Sequence, residues 1–156
     1  MKIEHITIWQ FSRVLSSRLM NINLFNIWLG RRLIRQGEFW RGVGTQAVGW
    51  GVINIAIAAF GLLNTRSKLD KLDDVNDPEA AIEQTRGLRR ALRINAPLNL
   101  LYMWGGYRLA ARSGENTYRR GTGWGIVLQG FILLCFDTFH LSKVLKIKTP
   151  AQRDTA

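Results

Sequence analysis

The sequence predicts an all-α integral membrane protein, a four-helix bundle built from two helical hairpins of parallel topology. Three observations carry this prediction: long uncharged segments, an internal repeat, and cations confined to the ends of the uncharged segments. Hydrophobic residues make up 47% of the 156 residues, which excludes a disordered chain. The lone Cys135 excludes an internal disulfide framework. We therefore expect residues 1–156 to form a single membrane domain.

Two of the four predicted spans are long and apolar. Residues 42–63 contain no charged side chain. As a helix they would measure about 33 Å, enough to cross a hydrocarbon core of about 30 Å. Residues 121–142 carry one formal charge, on Asp137. Core helices of a soluble domain are the alternative, but the five glycines of 42–63 would destabilise such a helix by about 1 kcal/mol each, whereas membrane helices contain glycine more often.

An internal repeat supports the two shorter spans, 18–34 and 96–111. Six of the eleven residues from Asn23 to Leu33 are identical to those from Asn99 to Leu109, at an offset of 76. Two further matches follow in order: Gly37-Glu38 with Gly114-Glu115, and, at an offset of 74, Gly49-Trp50-Gly51 with Gly123-Trp124-Gly125. A unit with two spans returns to its starting side of the membrane. The two hairpins are therefore expected to be related by an axis along the membrane normal.

An amphipathic lead-in helix is expected before each hairpin. Asp77 is a good N-cap, Pro78 suits the first helical position, and the following residues place acidic side chains before basic ones, as the helix dipole favours. Residues 3–17 are the equivalent segment in the first half. Pro97 is expected to start or kink the third span. Repeat 1 thus covers about 1–64, and it is followed by a polar loop (65–77), repeat 2 (about 78–142) and a basic C-terminal tail (143–156).

The distribution of cations indicates the orientation. Eight arginines surround the two short turns, and the other 14 Lys and Arg residues, including every Lys, lie on the side of the termini. Because topology follows the count of Lys and Arg, we expect both termini in the cytoplasm and a chain that crosses the membrane several times. Residues 1–18 carry four charges and no long apolar core, so no cleavable signal peptide is expected. The short-turn arginines are candidates for lipid-headgroup or partner contacts: Arg31, Arg32, Arg35, Arg41, Arg108, Arg112, Arg119 and Arg120.

Small residues form a predicted packing seam. Spacings of four and three residues place them along one face of the second span. Two glycines spaced four residues apart lie at the start of the fourth span, where they would also let another helix pack closely. The seam consists of Ala47, Gly51, Asn54, Ala58, Gly61, Gly121 and Gly125. It is expected to join the two repeats within one monomer, and docking of another subunit is the alternative.

Polar side chains inside the predicted spans are the remaining candidates for function. Gln46, Asn54 and Gln129 are expected to hydrogen-bond between helices, because unpaired amides are costly in lipid. A bound lipid, quinone or pigment is the alternative. Asp137 is expected to pair at the interface with Arg18, Arg93 or His140. With two histidines in the chain we expect no metal or haem site, no cofactor and no catalytic residue.

The chain resembles an uncharacterised family of small bacterial four-helix membrane proteins, a domain of unknown function. The resemblance covers roughly residues 18–142. It rests on Gly49-Trp50-Gly51 with Asn54, Ala58 and Gly61, on Tyr102 to Gly106, and on Gly123-Trp124-Gly125-x-x-x-Gln129-Gly130 with Asp137 and His140. It implies a four-helix architecture that crosses the inner (cytoplasmic) membrane of a bacterium several times, and it implies no activity.

Three functions compete on the sequence alone. The first is a non-catalytic structural or accessory subunit of a larger membrane complex, which the small size and the seams favour. The second is a small transporter or a binder of lipids or hydrophobic ligands, suggested by Asn54 and Gln129. The third is a soluble basic nucleic-acid-binding helical domain, suggested by the net charge of +11. The segregation of the cations into two rims favours lipid headgroups and other membrane subunits as partners, and disfavours nucleic acid.

Overall fold

The structure, a computed structural model, describes residues 7–75 and 77–147. Four α-helices follow one another over these ranges, so the predicted all-α architecture of four long helices is confirmed. They are α1 (Ile8–Leu33), α2 (Glu38–Leu69), α3 (Pro78–Ala111) and α4 (Thr117–Val144).

The helix starts follow from local sequence. Thr7 and Gln10 form a reciprocal capping box at α1, in which the Thr7 hydroxyl accepts from the Gln10 N–H at 3.2 Å. Asp77 caps α3 by accepting from Glu79 N–H, with Pro78 in the first turn, which confirms that predicted start. Gly37 precedes α2 with a φ of 104°, a conformation that a residue with a Cβ rarely adopts.

The lead-in helices and the spans are not separate elements. The structure joins residues 8–17 to the first span within α1, and residues 78–95 to the third span within α3. Pro97 lies inside α3 and does not start a helix, since the packing of a long helix outweighs one missing backbone hydrogen bond. Helix α2 also continues to Leu69, so the predicted polar loop is shorter than 65–77. The outermost parts of the predicted lead-in and tail, 3–6 and 148–156, lie outside the described residues.

The helices pair as two hairpins. Helix α1 packs on α2, α3 packs on α4, and α2 packs on α4 between them, while α1 makes only limited contact with α3 and α4. A cluster of aromatic and aliphatic side chains packs together at the end of the bundle where the described part of the chain starts and finishes. Trp9, Phe11 and Leu92 are among its buried members. The two short turns, 34–37 and 112–116, lie at the opposite end of the hairpins.

The distribution of apolar and polar side chains is the reverse of that in a water-soluble bundle: large apolar side chains lie on the outside and amide side chains lie inside. Several of the most exposed side chains are large and apolar, such as Phe60 (73% exposed) and Leu63 (67%), whereas Gln129 (2%) and Asn54 (4%) are buried. By length and composition, α2 and α4 each contain a stretch apolar enough to cross a membrane, and α1 and α3 do not meet this criterion. Only 22% of that stretch in α2 and 33% in α4 is buried, whereas the core helix of a soluble domain is mostly buried.

Candidate functional site

The contact between α2 and α4 is made by glycine backbones. A Cβ placed on Gly121 would collide with the carbonyl oxygen of Phe39, and one placed on Gly42 would collide with that of Tyr118. Gly125 likewise faces the Gln46 side chain, whose Cβ would lie 2.9 Å from an added methyl group. The two helices therefore approach as closely as they do because these positions carry no side chain.

Each hairpin closes over its own pair of glycines. In the first hairpin a Cβ on Gly30 would lie 2.8 Å from the carbonyl oxygen of Gly44, and in the second a Cβ on Gly106 would lie 2.7 Å from that of Gly123. One further step along, Gly51 faces the carbonyl of Asn23 just as Gly130 faces that of Asn99. The packing of one hairpin thus recurs in the other.

These contacts define the register of the repeat. The first helices correspond at an offset of 76, as the sequence predicts, because Gly30 and Asn23 occupy the places of Gly106 and Asn99. The second helices correspond at an offset of 79, since α4 begins 79 residues after α2 and Gly44 occupies the place of Gly123. The offset of 74 expected from the Gly-Trp-Gly motif is therefore not the structural one. Gly49 faces open space, whereas its proposed counterpart Gly123 packs on α3.

The residues that form the α2–α4 contact are also related by the offset of 79. Gly42 and Gly121 differ by 79, as do Phe39 and Tyr118. Each glycine packs on the backbone of the other helix's aromatic residue, so the two helices exchange equivalent contacts. The two hairpins therefore form a pseudo-twofold pair around the α2–α4 contact.

The predicted seam residues divide between three places. Gly121 and Gly125 line the α2–α4 contact, as does the side chain of Gln46. Gly51 packs on α1 near Ile27, and Gly61 packs on Ser16 of the same helix. Ala47 contacts Gly30 of α1, and Ala58 joins a small buried cluster with Leu19 and Phe136. The seam of α2 therefore serves mainly its own hairpin.

A second set of contacts in the bundle is polar. The Asn54 amide donates to the Asn23 side-chain oxygen at 3.1 Å, and Asn23 in turn donates to the carbonyl of Leu19 at 2.8 Å. Asn26 and Gln129 exchange two hydrogen bonds, at 2.6 and 3.2 Å, and thereby connect α1 to α4. Asn26 is absent from the sequence-based candidates, although its spacing of three residues from Asn23 places both amides on one helix face.

Asp137 takes an amide as its partner instead of a cation. Its Oδ2 accepts a hydrogen bond from the Asn99 side chain at 2.9 Å across the α3–α4 contact. Within residues 7–75 and 77–147 the structure contains no ion pair between Asp137 and Arg18, Arg93 or His140. The physical reason is position, because Asp137 is 6% exposed within the bundle whereas Arg18 and Arg93 are exposed on its surface.

His140 lies one turn further, among aromatic rings. Its Nδ1 donates to the carbonyl of Phe136 at 2.8 Å, and the ring lies near those of Phe11, Phe136 and Phe139. The Nε2 atom is buried and has no hydrogen-bond partner among the described residues. Over the same part of the chain, no three His, Cys, Asp or Glu side chains form a group that could hold a metal ion.

Arginine and tryptophan pair at the end of each hairpin that carries the short turn. The guanidinium of Arg32 lies 5.5 Å from the Trp28 ring, and that of Arg108 lies 5.1 Å from the Trp104 ring. Both pairs are related by the offset of 76, and both tryptophans are more than half exposed. Arg41 contacts the ring of Tyr118 at 5.1 Å and the carboxylate of Glu38 at 2.9 Å. Five of the eight short-turn arginines (Arg31, Arg35, Arg112, Arg119 and Arg120) take no part in these contacts.

Comparison with known proteins gives a family and no activity. No curated protein and no solved structure matches the chain. A family described as a family of unknown function, DUF6992, matches residues 18–138, a range that includes most of all four helices and, apart from that of Gly61 with Ser16, every glycine contact described above. The chain belongs to this family of unknown function, DUF6992.

Proposed function

We propose that this chain is an integral protein of a bacterial cytoplasmic membrane and that it serves there as a non-catalytic accessory subunit of a larger complex. The observation that carries the first half of the proposal is the inversion of burial. Phe60 and Leu63 project outward while Gln129 and Asn54 are buried. In water this arrangement would expose the surface that folding normally removes from solvent, and in lipid it is the stable one.

Four spans, rather than the two apolar helices alone, are supported by the outer faces of α1 and α3. Phe25 (60% exposed) and Leu101 (57%) project from these helices. The repeated Trp28–Arg32 and Trp104–Arg108 pairs suit the membrane–water interface, where tryptophan is enriched and arginine reaches the headgroups. Each hairpin would then cross the membrane twice, and both termini would face the cytoplasm.

The accessory role is supported by how the polar groups are used. Asn54 and Gln129 bond to asparagines of α1, and Asp137 bonds to Asn99. Side chains that satisfy one another hold helices together and leave little capacity to bind a solute. This use of the interior favours a packing function over the transporter or ligand-binding alternatives. The outward apolar faces would then be available to lipid and to other membrane subunits.

Membrane residence is tested by washing membranes that contain the full-length chain with alkaline carbonate. We expect the chain to stay in the membrane pellet, because four apolar outer faces would have to enter water for release. A soluble basic protein held by charge alone would move to the supernatant. That result would refute the membrane proposal and support nucleic-acid binding.

The accessory role is tested by extraction in a mild detergent, followed by native purification and mass spectrometry. We expect partner subunits in stoichiometric amounts. Photo-crosslinking residues placed at Phe60 and Leu63, which face outward, should capture the same partners, whereas a crosslinker at the buried position Ala58 should not. A chain that purifies alone and gives no crosslink from either outward position would refute the role.

A further inference from the structure

A row of arginines lies on one face of α3, before its apolar half. Arg86, Arg89, Arg90 and Arg93 line a surface groove of about 430 Å³ together with Ile82 and Ile94. Within residues 7–75 and 77–147 none of these arginines takes part in an ion pair. The groove therefore combines four uncompensated positive charges with an isoleucine at each end.

Arg89 is the anchored member of this row. Its Nη2 donates to the carbonyl of Val144, the last residue of α4, at 3.2 Å. Its Nε–H is buried and has no hydrogen-bond partner among the described residues. The bond to Val144 fixes this guanidinium beside the groove, and arginine binds phosphate through strong, charge-assisted hydrogen bonds.

The position of the groove indicates what the anion is attached to. The helical rise places Arg86 and Arg93 about 10 Å apart along α3, so the row is long enough to extend through one headgroup layer of about 5–8 Å. Ile94 (49% exposed) follows Arg93 toward the apolar half of α3, where Leu98 and Leu101 are also exposed. A phosphate at the arginines would thus continue into an apolar surface that an acyl chain can cover.

We propose that this groove binds the phosphate group of an anionic phospholipid, with the acyl chains lying against the outer face of α3 beyond Ile94. The proposal rests on the membrane location proposed above. It assigns a lipid site to the cytoplasmic rim, on arginines other than those of the short turns. A bound lipid there would neutralise the row of charges and fix the depth of α3 in the bilayer.

The test compares lipid binding by two matched double variants of the full chain in a non-ionic detergent. Arg90→Gln with Arg93→Gln removes two exposed groove charges and leaves Arg89 and its bond to Val144 intact. Arg13→Gln with Lys71→Gln removes two exposed charges outside the groove. Native mass spectrometry measures the apparent Kd for dioleoylphosphatidylglycerol in each protein, with dioleoylphosphatidylcholine and inorganic phosphate as separate probes.

We expect the groove variant to bind phosphatidylglycerol about tenfold more weakly, since two charge-assisted contacts are lost. The control should stay within about twofold, because exposed charges away from the contact matter little. Equal losses in both variants, or no preference over phosphatidylcholine, would overturn the proposal. So would inorganic phosphate binding as tightly as the lipid, which would indicate a free-anion site.

Carbonate washing of the same proteins separates this proposal from the membrane assignment. If both variants stay in the membrane but lipid binding is unchanged, the lipid site alone is refuted. If the wild-type chain is released, the membrane location itself fails.

Discussion

The backbone of Gly121 in α4 lies directly against the carbonyl oxygen of Phe39 in α2, with no room for a side chain between them. The pseudo-twofold axis relates this contact to an equivalent one, in which Gly42 of α2 lies against the carbonyl oxygen of Tyr118 in α4. These reciprocal contacts join the two hairpins of the bundle. Their sensitivity to a single methyl group is the most direct test of the architecture.

Gly121→Ala should destabilise the bundle by about 1–3 kcal/mol, because the added methyl group meets a backbone atom that cannot move aside independently. Gly49→Ala is the matched control. Gly49 is also in the interior of a helix, but it faces open space, so alanine there should be neutral or stabilise by up to about 1 kcal/mol. The measurement is equilibrium unfolding in mixed detergent micelles. Equal stability of the two variants would contradict the glycine contact.

The hydrogen bonds between Asn26 and Gln129 should appear as a coupling energy. In a double-mutant cycle with Asn26→Leu and Gln129→Met, both near-isosteric, we expect the two substitutions to couple by about 1 kcal/mol. The double variant should be less harmful than the sum of the single ones, since neither amide is then left alone. The control cycle combines Asn26→Leu with Gln46→Met. The Gln46 side chain packs against Gly125 of α4 and not against Asn26. Coupling of equal size in the control would contradict the assignment.

Replacing Asn99 alone should lower the free energy of unfolding more than replacing Asn99 and Asp137 together. Asn99→Leu takes from the buried Asp137 the amide donor that lies 2.9 Å from its Oδ2, and we expect a loss of about 2–3 kcal/mol. Adding Asp137→Leu should restore part of that loss, because a buried carboxylate that has lost a donor is worse than an apolar residue in its place. Unfolding in mixed micelles gives both values. If the double variant is less stable than Asn99→Leu, the bond does not have the role assigned to it.

The orientation of the hairpins can be measured by labelling introduced cysteines. In a Cys135→Ser background, Glu115→Cys places a thiol in a short turn and Asp73→Cys places one in the loop between the hairpins, both at exposed positions. On spheroplasts, a membrane-impermeant maleimide should label Glu115→Cys before permeabilisation and Asp73→Cys only after it. The reverse pattern would place both termini outside. Labelling of both positions in intact spheroplasts would contradict the assignment of α3 as a span, because α3 is the helix that separates them.

The helices themselves were predictable because they depend on local patterns. Uncharged segments and the repeat of Asn23 to Leu33 locate the helix ends at the two short turns to within about a turn, and Asp77-Pro78 locates the start of α3. Local patterns also suggested a separate helix before each hairpin, and here they failed. The charged and apolar halves of α1 and α3 differ in composition, but nothing in the backbone interrupts them, and packing keeps each helix continuous.

The partners of the polar side chains were harder to predict. Charge alone predicts that Asp137 pairs with Arg18, Arg93 or His140, yet it bonds to Asn99 because both lie on the buried faces of neighbouring helices. Asn26 was missed because it is one of three asparagines in residues 19–30 and nothing local distinguishes it from the others. Its spacing from Asn23 was the available clue, and only the α1–α4 contact shows that Gln129 is its partner.

By itself the sequence determined four apolar or amphipathic helices, the correspondence of the first helices at an offset of 76, and the two basic rims. The tertiary structure decided the register of the second helices. A short motif shared at an offset of 74 suggested one register, but Gly49 and Gly123 face different surroundings, and the true offset is 79. The physical reason is that the register is set where two helix backbones approach closely, which requires a glycine at the point of contact. Which glycine lies at that point depends on how both helices pack, and the sequence of one helix alone does not show it.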